Sequence, residues 1–212
     1  MINEELPDHI VYSSAVIEFV TVAAETCLFL EHATEQTRGD FILKSVKILP
    51  LLYLKTSLLE IPEPVFDESP ERFVTEEDYL YVKEQVEQLL GLDDSYLEVF
   101  HPDMALSDTP IAAFVSENLA DIYQELKDFA ANYQTVDTDI MNDALVACLQ
   151  AFGEHWGRKT LNALRALHAI RYSDSFAQDE AEKVSERKID RNSFLDFLHD
   201  DDDEADVSEK LL

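Results

Sequence analysis

The sequence predicts an all-α protein, a mostly antiparallel bundle of about five main helices followed by an acidic C-terminal extension. Three observations carry that expectation. Only four Gly and seven Pro are spread over 212 residues, which leaves little turn chemistry for a many-stranded sheet. Apolar residues return at three- and four-residue steps through five separate windows, the period of a helix with one buried stripe. The longest stripe joins Leu145, Leu149, Phe152, Trp156, Ala163, Leu167 and Ile170. With 46% hydrophobic and 10% aromatic residues, the chain has apolar material for one core despite its charge, so a single domain over residues 1–172 is expected.

The first helix is predicted from Asp8, as cap, to about His32, with Ile10, Val16, Phe19, Val20, Ala23, Cys27 and Leu30 inward. Thr37 with Asp40 has the form of a capping box and opens a second helix to about Glu60, bent at Pro50. Pro62, Pro64 and Pro70 mark a connector. Thr75-Glu-Glu-Asp starts a third helix that Gly91 stops. Residues 92–108 read as an ordered loop pinned by Tyr96 and Phe100. Thr109-Pro110 is a favoured helix start, with Ile111, Val115, Ile122, Leu126 and Phe129 inward on a fourth helix. A fifth begins near Asp137 or Thr138 and runs to Tyr172. Residues 173–212 then hold 14 acids and five bases, a charged extension with a helical stretch around Asp179–Ile189 and a solvated acidic end.

The charge excludes some partners. With 16 Lys and Arg against 45 Asp and Glu, the formal charge is −29, a field that repels phosphate backbones and anionic membranes. No nucleic acid and no membrane are expected as partners; a basic partner fits. The opening has no basic and apolar leader, and the apolar window from Ala15 to Leu30 is broken by Glu18 and Glu25. Cys27 and Cys148 lack paired spacing and suit buried thiols in a reducing cytoplasm.

The stretch FGEHWGRKTLNALRALHAIR, residues 152–171, holds the only Trp, two of the six His and two of the four Gly. On one uninterrupted helix Arg158 and Arg165 fall opposite the Trp156 stripe, on the side of Ala144, Ala147, Ala151 and Ala169. Each interior Gly costs about 1 kcal/mol relative to Ala, so Gly153 and Gly157 imply a close helix crossing or a kink. Two arrangements fit the arginines. They pair with Glu18 and Glu25, or with Glu117 and Asp121, as structural ion pairs; or Arg158, Arg165 and His155, joined by His168, line a polar pocket for an anionic small molecule or a partner's carboxylate.

No phosphate loop, nucleophile elbow, Cys-x-x-Cys or His-Glu-x-x-His is present. Glu18, Glu25 and His32 share heptad spacing and His101-Pro-Asp103 adds ligand types, but no helix carries Glu-x-x-His, so neither metal nor cofactor is expected. His9 and His199 read as exposed and silent.

The segments ILPLLYLKTSLLEIP, YLEVFHP, SENLADIYQELKDF and HWGRKTLNALRALH together resemble a group of bacterial helical proteins classed only as a domain of unknown function, over about residues 9–172. The resemblance implies an all-α fold and a cytoplasmic bacterial protein, and carries no activity. It also fits the suggestion from helical geometry that Asp121, Tyr123, His155, Trp156, Gly157 and Arg165 form one constellation. This chain departs from it at His101 and at Asn118, where acids are expected. The binding residues expected are Asp121, Tyr123, His155, Trp156, Arg158 and Arg165. The function expected is a non-enzymatic binding or adaptor module; the alternative is a small-molecule binder or enzyme with a polar pocket around His155, Arg158, Arg165 and Asp121.

Overall fold

The computed structural model describes residues 9–98 and 111–177. The helices are α1 (Ser14–Glu31), α2 (Arg38–Ser57), α3 (Glu76–Leu90), α4 (Val115–Tyr133), α5 (Thr138–Ala151) and α6 (Gly157–Arg171). Strands β1 (Ser95–Leu97) and β2 (Ala112–Phe114) form one short antiparallel ribbon, with Ser95 opposite Phe114 and Leu97 opposite Ala112. The fold is thus helical, as the periodicity predicts. Among the described residues no helix is long and apolar enough to cross a membrane.

Several helix starts lie where side-chain oxygens can satisfy the orphan N–H groups of a first turn. Thr37 accepts from Asp40 N, and Thr75 and Asp78 form a reciprocal capping box. The side-chain and backbone bonds from Thr75 hold the Asp78 carboxyl below its usual value. Asp137 accepts from the amides of Asp139 and Ile140. Gly91 ends α3 at φ 57, a left-handed conformation that glycine adopts without strain.

Two boundaries differ from expectation. The first helix begins at Ser14, capped by Ser13, after a short 3-10 turn, Ile10–Tyr12, that half-buried His9 caps through Nδ1; Asp8 lies outside the described residues. The fourth helix begins at Val115, because Ala112–Phe114 pair with β1 and are held extended. Phe114 supplies no capping side chain. Buried Asp94 does so instead, accepting from Ser116 N and Ser116 Oγ, both at 2.7 Å. Thr109, Pro110, Phe100, His101, the Asp179–Ile189 stretch and His199 lie outside the described residues.

α4 is the axis of the bundle. It packs on α1, α3 and α5 and buries Val115, Leu119, Ile122, Leu126 and Phe129. Because neighbours surround it, even its polar positions Asn118, Tyr123, Asp128 and Asn132 are buried, and each must find a partner inside.

The expected fifth helix is two helices joined by one π turn, Phe152–Trp156. Gly157 N–H donates to the Phe152 carbonyl, five residues back. A Cβ on Gly157 would lie 2.5 Å from that oxygen and 3.0 Å from the Phe152 ring, whereas one on Gly153 would meet nothing within 4 Å. Gly157→Ala is therefore expected to destabilise by about 1–3 kcal/mol. Gly153→Ala should be neutral or stabilise by up to about 1 kcal/mol. Urea unfolding of both variants checks the pair; equal stabilities would remove the close approach as the reason for Gly157.

Candidate functional site

The π turn decides where the expected residues go. A turn that takes one extra residue sets everything downstream back by about 100°, so the side of Ala144 and Ala147 on α5 is no longer the side of the arginines on α6. Ala144 is buried; Arg158, Arg165 and Ala169 are exposed. Arg158 donates to the Glu154 carbonyl in the π turn just before its own helix. Arg165 forms no ion pair among the described residues. The expected pairs with Glu18, Glu25, Glu117 or Asp121 are absent there: Glu18 pairs with Lys55, and Glu117 with Lys83 at 3.7 Å.

Lys159, one residue past Arg158, reaches Asp121 instead, with Nζ 3.0 Å from Oδ2. His155 Nε2 lies 3.9 Å from the same oxygen, and the Tyr79 hydroxyl donates to Oδ1 at 3.0 Å. Burial, then the Asp121 charge, pushes the Tyr79 phenol up. Asp121 and His155 are thus brought together, with both carboxylate oxygens engaged. Trp156 is fully buried beneath, its indole N–H donating to the Cys148 carbonyl at 3.0 Å.

Tyr123 belongs elsewhere. Two residues along a helix is about 200° of rotation, and its hydroxyl donates to Glu31 Oε1 at 2.9 Å, with Lys127 Nζ on the same oxygen at 2.6 Å. Burial, then Glu31, raises the Tyr123 phenol; the Glu31 hydrogen bond raises Lys127. Burial pushes the Cys27 thiol up to about 12 and also raises Cys148, so both are inert.

The most organised polar construction lies outside the expected set. Residues 58–75, joining α2 to α3, run as a strap without helix or strand, and buried side chains of α4 and α5 grip its backbone twice. At the first clamp Asn142 Nδ2 donates to the Glu63 carbonyl at 2.8 Å, while Asp143 accepts from Val65 N and Phe66 N, both at 2.7 Å. At the second, Asn132 Nδ2 donates to the Glu71 carbonyl at 2.8 Å, while Asp128 Oδ1 accepts from Phe73 N at 2.7 Å and Val74 N at 2.8 Å. The two patterns coincide: an Asn holds carbonyl i, and an Asp holds amides i+2 and i+3. Burial tends to raise the Asp143 carboxyl, but the bonds from Val65, Phe66 and Asn142 outweigh it and hold it low. The signal in the sequence was four polar residues breaking the apolar stripes of two core helices; their partners, being backbone, left no residue code.

The strap turns apolar side chains outward. Ile61, Val65 and Phe66 are about half exposed, at 53%, 50% and 51%, and Phe73 is 44% exposed. Beside it opens a cavity of about 470 Å³ lined by Phe66, Pro70, Phe73, Thr135, Ile140 and Asp143 among others.

The model of a domain of unknown function, DUF5063, matches residues 10–173. The chain belongs to this family. Both clamps and the whole strap of this DUF5063 chain lie inside the match. A solved structure, protein BF1032 from Bacteroides fragilis, a structural-genomics target, is similar: it is 43% identical over 78% of this chain and 97% of that one, with a TM-score of 0.69. No curated protein matches.

Proposed function

We propose that this DUF5063 chain is a non-enzymatic binding module that docks a protein partner on the strap face, in a reducing cytoplasm, with residues 173–212 as an appended charged extension. One observation carries the reading: apolar side chains are displayed on a segment whose backbone is held by two buried clamps. An exposed loop would ordinarily be polar and loosely held. Here Val65, Phe66 and Phe73 stand in water on a segment already ordered, so little entropy is lost when a partner covers them.

The chemistry of the partner follows from the surround. Residues 58–74 carry Glu60, Glu63, Asp67, Glu68 and Glu71 against Arg72 alone, on a chain of charge −29. A segment with an apolar anchor and flanking Lys or Arg complements it in shape and charge. The anchor has room in the cavity of about 470 Å³. The paired state of Asp121, with Arg158 and Arg165 turned to solvent, favours this reading over an anion pocket at His155.

The test is site-specific photo-crosslinking in the native cell, with the probe at Phe66 or, as control, at exposed Leu161 of α6. A single protein captured from Phe66 through an apolar-basic segment, and lost when Val65 and Phe73 are both changed to Asp, is the expected result. Equal capture from Leu161, or capture that survives the double change in a variant with native circular dichroism, would overturn it.

A further inference from the structure

Phe73 lines two cavities. One is the space of about 470 Å³ beside the strap; the other, of about 360 Å³, is bounded also by Glu31, Asp78, Tyr81, Tyr123 and Lys127. The second clamp fixes the wall they share, because Asp128 holds the amides of Phe73 and Val74.

The second cavity is open and carries unused acceptors. Asp78 is exposed and spends only Oδ2, on the amide and the hydroxyl of Thr75 at 3.0 and 2.7 Å. Glu31 spends only Oε1, on Tyr123 and Lys127. Asp78 Oδ1 and Glu31 Oε2 therefore accept nothing from the described chain. The Lys127 ammonium offsets one of the two carboxylates, which leaves the cavity negative. Two accessible rings meet the same space: Tyr81 is 56% and Phe73 44% exposed, and among the described residues neither packs on another ring. Aromatic faces beside free carboxylate oxygens suit a cation with an apolar face.

The kind of cation follows from the same groups. Among the described residues no three acidic, His or Cys side chains gather that could hold a metal ion. An ammonium is compact and strongly hydrated, and would compete with Lys127 for Glu31. A guanidinium is planar and more weakly hydrated, stacks on rings, and offers five N–H groups in a fixed fork to acceptors that lie apart. We infer that this cavity receives the guanidinium group of an arginine on the docking segment, its plane against Tyr81 and Phe73 and its N–H groups on Asp78 Oδ1 and Glu31 Oε2. The inference rests on the docking proposed above and refines it: the segment sets an apolar side chain in the larger cavity and an arginine, not a lysine, in the one that shares Phe73.

The test is titration of the full chain, followed by amide NMR at constant ionic strength, with N-acetyl-arginine methylamide and, as a cation of equal charge, N-acetyl-lysine methylamide. The arginine derivative is expected to shift the amides of residues 73–81 first and to bind about fivefold more tightly than the lysine derivative. Tyr81→Ala, at an exposed helical position that Ala suits, should weaken the arginine derivative about threefold, whereas Tyr81→Phe, which keeps the ring, should not. Equal affinity for the two derivatives, or Tyr81→Ala binding as tightly as the unmodified chain, would overturn the inference. Capture from Phe66 tests the docking by itself: a captured partner with no arginine preference sinks this inference alone, and an arginine preference with no capture sinks the docking and leaves the guanidinium site.

Discussion

Replacing Trp156 with Ala is expected to lower stability by about 3–5 kcal/mol, the cost of emptying a large core site. The indole is fully buried, packs against the Phe152 ring at 4.6 Å between centroids, and ties the end of the π turn to α5 through the Cys148 carbonyl. Both contacts hold the π turn, one between its two end residues and one back to α5. The loss should therefore appear in equilibrium unfolding and also as faster amide exchange around residues 152–157, where the i−5 bond of Gly157 depends on Phe152 being held. Trp156→Phe keeps most of the volume and loses the hydrogen bond with part of the ring, so it should cost about 1–2 kcal/mol. Equal losses in the two variants would mean that the bond, not the packing, holds the turn together.

Asp143→Ala is expected to release the front of the strap and cost about 3 kcal/mol at neutral pH. The carboxylate accepts two amides and an Asn side chain in a buried setting, and bonds to an ionised acceptor are the stronger kind. Exchange of the Val65 and Phe66 amides should accelerate well over tenfold, while Phe73 and Val74, bonded to Asp128, should respond less. The effect has a sign in pH. The Asp143 carboxyl is held low in the folded protein, so its stabilisation is complete above the unfolded value of about 3.9 and fades as pH falls through the lower folded value. The gap between the unmodified chain and Asp143→Ala should accordingly be flat from neutral pH to about 5 and close in strong acid. A gap that widens on acidification would contradict the clamp.

The helices were legible because their signals are local. The Thr37, Thr75 and Asp137 caps, Gly91 at the end of α3 and the apolar stripes of α1, α3 and α4 all act within one or two turns, whereas Asp8 was read as the cap of α1 that Ser13 supplies. The start of α4 was not, since the cap on Ser116 comes from Asp94, 22 residues away and across a strand pair. Asp121 and His155 could be placed near each other from helical phase, but the cation paired with them could not. The π turn shifts that phase by one residue and delivers Lys159, leaving Arg158 and Arg165 in water.

By itself the sequence determined a helical protein of high negative charge, the extent of its helices to within a turn at most ends, and the polar interruptions in α4 and α5. Only the tertiary structure decided what those interruptions serve. Asp128, Asn132, Asn142 and Asp143 bind main-chain atoms of the strap, and a peptide amide looks the same in every residue. Recognition of backbone by buried side chains leaves its mark in space and almost none in the order of residues.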